Sequence, residues 1–125
     1  MKHLTIVKLN DSLVKFNSPI GCGLAVWHGN EIDENFCYDV EFDIDDCFEW
    51  GKNIYSADDD VSKISYSDEY VMFCSKVISY EDDGVLSISL NGDVIFIEVS
   101  SFSHEAKYVS FFTTPYNISI YPVEF

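Results

Sequence analysis

Residues 36–46 read FCYDVEFDIDD. Every second position from Phe36 is apolar: Phe36, Tyr38, Val40, Phe42, Ile44. The intervening positions from Asp39 are carboxylates: Asp39, Glu41, Asp43, Asp45. Side chains alternate across a strand, so this period of two predicts a half-buried β-strand over 36–44 with a file of acids on its outer face.

The same period runs through most of the chain. HLTIVKL (3–9) and SLVKF (12–16) flank an Asn10-Asp11 turn and predict an opening hairpin. CGLAVWH (22–28) follows the breakers Pro19 and Gly21. YVMFCSKVISY (70–80), GVLSISL (84–90) and DVIFIEV (93–99) are joined by an Asp-Asp-Gly link and by Asn91-Gly92, a strong hairpin signal, and predict an antiparallel meander. KYVSFF (107–112) and YNISIYPVEF (116–125) complete the chain, and Pro122 predicts that the last strand lies at an edge or ends there. Residues 45–69 break the pattern. They read as a long acidic surface excursion with at most short helical turns, at 46–50 and 58–63. The expectation is one all-β domain over 1–125, an antiparallel small barrel or sandwich, with the barrel favoured. Phe36, Phe42, Phe73 and Phe96 are expected in its core.

A chain of 125 residues with 47% hydrophobic residues can bury a core without staples. Its charge is lopsided: 22 acids against 7 bases, for a net of −15. The bases are all lysine; arginine, the bidentate reader of phosphate, is absent. That excludes recognition of nucleic acid or an anionic membrane through a basic surface. Residues 31–69 hold fourteen acids and two lysines, so they carry −12 of the total. No run approaches the roughly 18 apolar residues of a membrane span, and the start does not read as a signal peptide. The expectation is therefore a cytoplasmic protein with reduced thiols at Cys22, Cys37, Cys47 and Cys74.

Several chemistries fail on spacing. An EF-hand begun at Asp43 puts Cys47, Phe48 and Ile54 where an oxygen, a glycine and a glutamate belong. Begun at Asp58, it puts Lys63 in the glycine's place. No cysteines form a Cys-x-x-Cys pair, so no metal and no cofactor are expected. A glycosidase pair among Asp39, Glu41 and Asp43 lacks the apolar pocket that would raise one carboxyl's pKa. His3, His28 and His104 stand without a partner motif, and no catalytic residue is assigned.

What remains is binding. The candidate partner-binding residues are Asp39, Glu41, Asp43, Asp45, Asp46, Glu49, Asp58, Asp59 and Asp60, with Trp50 as anchor. Trp50 is equally read as a plug at one end of the fold, and the acids as a solvated face. Acids about 7 Å apart along a strand cannot match a duplex charge every 1.7 Å or so, which argues against close nucleic-acid mimicry by the stripe alone. In size, acidity, single-domain build and the acidic block 31–69, the chain resembles the small acidic immunity proteins of bacterial toxin–immunity systems of the contact-dependent inhibition type. The resemblance implies a non-enzymatic cytoplasmic protein that binds and neutralises a basic partner, a cognate toxin domain and commonly a nuclease. A small-ligand-binding β-barrel and an uncharacterised enzyme are the alternatives.

Overall fold

The computed structural model describes residues 1–102 and 105–123. Its regular secondary structure is nearly all strand; the helical content among the described residues is one 3-10 turn, Pro115–Asn117. The strands are β1 (Thr5–Lys8), β2 (Leu13–Ser18), β3 (Gly21–Trp27), β4 (Val40–Ile44), β5 (Cys47–Glu49), β6 (Ile54–Ser56), β7 (Lys63–Ser67), β8 (Tyr70–Tyr80), β9 (Val85–Leu90), β10 (Asp93–Ser100), β11 (Tyr108–Thr113) and β12 (Ile118–Pro122).

Turn chemistry sets the hairpins. Asn10 Oδ1 accepts from the backbone N–H of Ser12 and Leu13, closing β1 onto β2. Asn91 and Gly92 have φ of 54° and 95°, the left-handed pair a two-residue hairpin needs. The predicted meander is therefore β8–β9–β10, with a bulge between Val77 and Ser79.

Two sets of strands result. One runs β1-β2-β3-β12-β4. The other joins β6, β11 and β8 to β7 and to β9-β10-β5. A single parallel register pair, Gly21 with Ile64, links the sets through β3 and β7. The hydrogen-bonded order does not close on itself, so the favoured barrel is corrected to an open, sandwich-like arrangement. One hydrophobic cluster draws on both sets, including Phe16 and Val40 from the first and Phe48, Phe73 and Phe111 from the second. Phe73 and Phe111 stack with centroids 5.2 Å apart, and each fully buried ring contributes roughly 2–3 kcal/mol of transfer free energy.

Residues 45–69 differ from expectation. The proposed turn at 46–50 is strand β5, where Phe48 points inward between exposed Cys47 and Glu49 and packs on Phe111. The proposed turn at 58–63 is irregular backbone leading into β7. Three-residue strands are too short to show alternation, which is why the segment reads as a loop. Pro122 ends β12; the strand is internal, paired with β3 and β4. Among the described residues, no helix is long and apolar enough to cross a membrane.

Candidate functional site

β4 presents its acids as the alternation predicts. Val40 and Ile44 are buried, whereas Glu41, Asp43 and the following Asp45 are exposed. On the partner strand β12, Tyr121 lies opposite Glu41 and Ser119 opposite Asp43. Neighbouring acids on one strand face repel by only about 0.6 kcal/mol in water at ~7 Å, so the row costs little. The one lysine–carboxylate ion pair among the described residues is Lys52 with Glu49 at 3.8 Å, both exposed. Among the described residues, Glu41, Asp43 and Asp45 therefore have no lysine within ion-pair distance.

The chain kinks at Asp45–Asp46. β4 pairs with β12, and then β5 leaves it to run parallel to the end of β10, with Cys47 opposite Glu98. The kink is tied down. Asp46 Oδ1 accepts from the N–H of Cys47 at 2.8 Å, and its Oδ2 accepts from the Thr113 hydroxyl at 2.7 Å. Asn117 Nδ2 donates to that hydroxyl oxygen, and the Asn117 carbonyl accepts from the Asp45 N–H. Asp46, expected in the binding set, is thus a half-buried structural carboxylate.

Beside the kink, β4 and β10 lie near each other without backbone pairing, and the departure of β5 from β4 to β10 makes a fork. A groove of about 250 Å³ between them is lined by Asp43, Asp45, Asp46, Phe96 and Glu98, among others. On the far side of β5, Glu49 and Glu98 share an open cleft with Asp82 and Asp83. The Cys47 thiol donates to Glu98 Oε2 at 3.2 Å. That hydrogen bond, then the charge of Glu98, then slight desolvation and the charges of Asp46 and Asp45, hold the thiol's pKa above its ordinary value.

Phe96 leaves the place expected of it, and Trp50 takes the inner of its two expected places. Phe96 is 63% exposed on the outer face of β10, beside exposed Val94. Trp50 is half-buried, edge-on to Phe102 at 5.2 Å and packed against the core. Phe36, expected inside, is also exposed; it precedes β4 and leans on Tyr38, which leans on Trp27. Phe73 is buried as expected, and Phe42 half-buried.

The remaining assigned acids are dispersed. Asp39 is half-buried and accepts a long bond from the His3 N–H. Asp58, Asp59 and Asp60 are exposed on the link from β6 to β7, and none of them lines the groove beside the β4 row. Glu98, Asp82, Asp83, Val94 and Phe96 were missed. The signal for Phe96 was present: it shares its strand parity with Glu98, while Ile95, Ile97 and Val99 take the other face.

One catalytic-looking contact appears. His28 stacks on Tyr121 at 4.6 Å, and its Nε2 lies 2.9 Å from Ser119 Oγ. Asp43 faces Ser119 across the ladder rather than orienting the imidazole. The Asp45 and His28 N–H groups donate to the Asn117 and Ile120 carbonyls, so they are not free to hold an oxyanion. His104 lies outside the described residues. No group of three or more potential metal ligands comes together among the described residues.

Compared with known proteins, the chain matches no family model, no curated protein and no solved structure.

Proposed function

We propose that this is a non-enzymatic, cytoplasmic acidic protein that binds and neutralises a basic protein partner, a cognate bacterial toxin domain of the nuclease type. The observation that carries the reading is the row Glu41, Asp43 and Asp45: exposed, on one face, and without a lysine to neutralise it. A row used for stability would be paired or hydrogen-bonded, as Asp46 is. A nuclease must itself present positive charge to its substrate, so it offers the complementary surface. Complementary charge acts mainly on the association rate. The resemblance to immunity proteins supplies the partner class, and the charge distribution agrees with it.

The test is binding kinetics against a toxin domain encoded beside the gene, at low and high salt. Glu41→Lys with Asp43→Lys should slow association by about tenfold or more at low salt and by much less at high salt. Dissociation should change little. Unchanged association at low salt, with the fold intact, would leave the row as a solvated face.

A further inference from the structure

The β4–β10 fork leaves two strand edges open. The Val99 N–H donates to the Gly84 carbonyl, on the β9 side of β10. Backbone groups alternate sides along a strand, so those of Ile97 and Ile95 also point to β9 and those of Val94 and Phe96 point away. β5 covers that outer edge only from Glu98 to Ser100. Among the described residues, the outward groups of Val94 and Phe96 have no hydrogen-bond partner. On β4, Val40 exchanges bonds with Met1 on the side away from β12. By the same alternation, Phe42 and Ile44 turn their N–H and C=O toward the fork.

The side chains around this edge have a definite composition. Val94 is 55% and Phe96 63% exposed, and they are the apolar centre. Asp43, Asp45 and Glu98 line one groove with Phe96, and no lysine lines it. Met1 lies beside the same strands, its carbonyl accepting from the Val40 N–H.

We propose that the fork receives an extended, basic segment of the partner, which bonds main chain to main chain along the open edge of β10 and seats an apolar side chain on Phe96 and Val94. The segment's lysines or arginines meet Asp43, Asp45 and Glu98. This rests on the basic-partner reading and adds to it the mode of docking. Strand addition supplies affinity through the backbone and specificity through alternate side chains. It places the anchor at Phe96, not at Trp50.

The test uses two capped peptides of equal length and charge, one alternating lysine with valine and one alternating lysine with glycine. The lysine–valine peptide should bind about tenfold more tightly or better. Phe96→Ala should abolish that difference, while Tyr70→Ala, an exposed aromatic on β8, should leave it. Amide hydrogen exchange should slow at Val94 and Phe96 on binding. Phe96 is exposed enough that its loss should not unfold the protein, and the exchange measurement on the unaltered chain stands without the variant. Equal affinity for the two peptides, or no protection at Val94 and Phe96, overturns the docking mode and leaves the charge reading in place. Failure of both peptides to bind at low salt overturns the basic-partner reading itself.

Discussion

Replacing Asp46 by alanine tests whether an acid in the middle of the acidic block holds the fold or faces a partner. Its carboxylate accepts two hydrogen bonds, from the Cys47 N–H and from the Thr113 hydroxyl. Cys47 is exposed, so water replaces the first bond at little cost. Thr113 is only 2% exposed. Its oxygen would still accept from Asn117, but its proton would be left without an acceptor, at roughly 1–3 kcal/mol. Losing a negative charge beside Asp45 and Glu98 returns a few tenths of a kcal/mol through reduced repulsion. The net expectation is a loss of about 2 kcal/mol. For a domain of this size that lowers the melting temperature by roughly 6–8 °C. Urea denaturation with an unchanged m-value is the assay. Asp45→Ala, whose exposed carboxylate accepts no hydrogen bond among the described residues, should stay within about 0.5 kcal/mol of the parent. A double-mutant cycle with Thr113→Val should show coupling of about 1 kcal/mol or more. If Asp46→Ala costs no more than Asp45→Ala, the kink is not held by this carboxylate and Asp46 returns to the binding set.

Gly21→Ala should be among the most damaging single changes. A Cβ there would lie 1.8 Å from the Ile64 carbonyl oxygen, at a φ of +133°, on the register pair joining the two strand sets. The expected loss is about 3 kcal/mol or more, against roughly 1 kcal/mol for Gly51→Ala, which also has positive φ but nothing within 4 Å. Equal losses in denaturation would show that the seam is not a close contact. Cys47 should alkylate faster at neutral pH in Glu98→Gln than in the parent, because the raised thiol pKa comes first from its bond to Glu98. The pH at which its labelling rate reaches half-maximum should fall in the variant; peptide mapping by mass spectrometry reads both, and an unmoved midpoint refutes the cause.

Most of the fold was legible because long strands carry a long alternation. β8 and β10 were located nearly to the residue, and the Asn91-Gly92 turn fixed their meander. β5 and β6 were not legible: three residues do not establish a period, and their pairing with β10 and β11 is non-local. The exposure of the β4 acids was legible, and that of Phe96 was not. On β10 both parities are apolar at 94–97, so hydrophobicity alone cannot choose an inward face, and only Glu98 marks Phe96 as outward. Of the two readings of Trp50, anchor and plug, its packing agrees with the second. Its charged neighbours Glu49 and Lys52 are exposed, but the ring between them turns onto Phe102.

The acids around the fork have a second explanation in the fold itself. Open strand edges invite edge-to-edge association, and charges placed near an edge suppress it. If that were the whole purpose, the charges would belong on the open stretch of β10, at positions 94 and 96, where the unpaired backbone groups lie. Those positions carry valine and phenylalanine, both exposed, and Asp43, Asp45 and Glu98 line one groove with the phenylalanine. An apolar centre on an unpaired edge is the arrangement that edge protection avoids. An apolar centre ringed by charge is also how binding hot spots are built, with the rim excluding water from the anchor and selecting the partner by sign. The ring repels a second copy of this chain, whose fork carries the same charge, and attracts a basic segment. On the proposed reading the same carboxylates would serve both ends: they would keep the edge closed to its own kind and open to a partner of opposite charge.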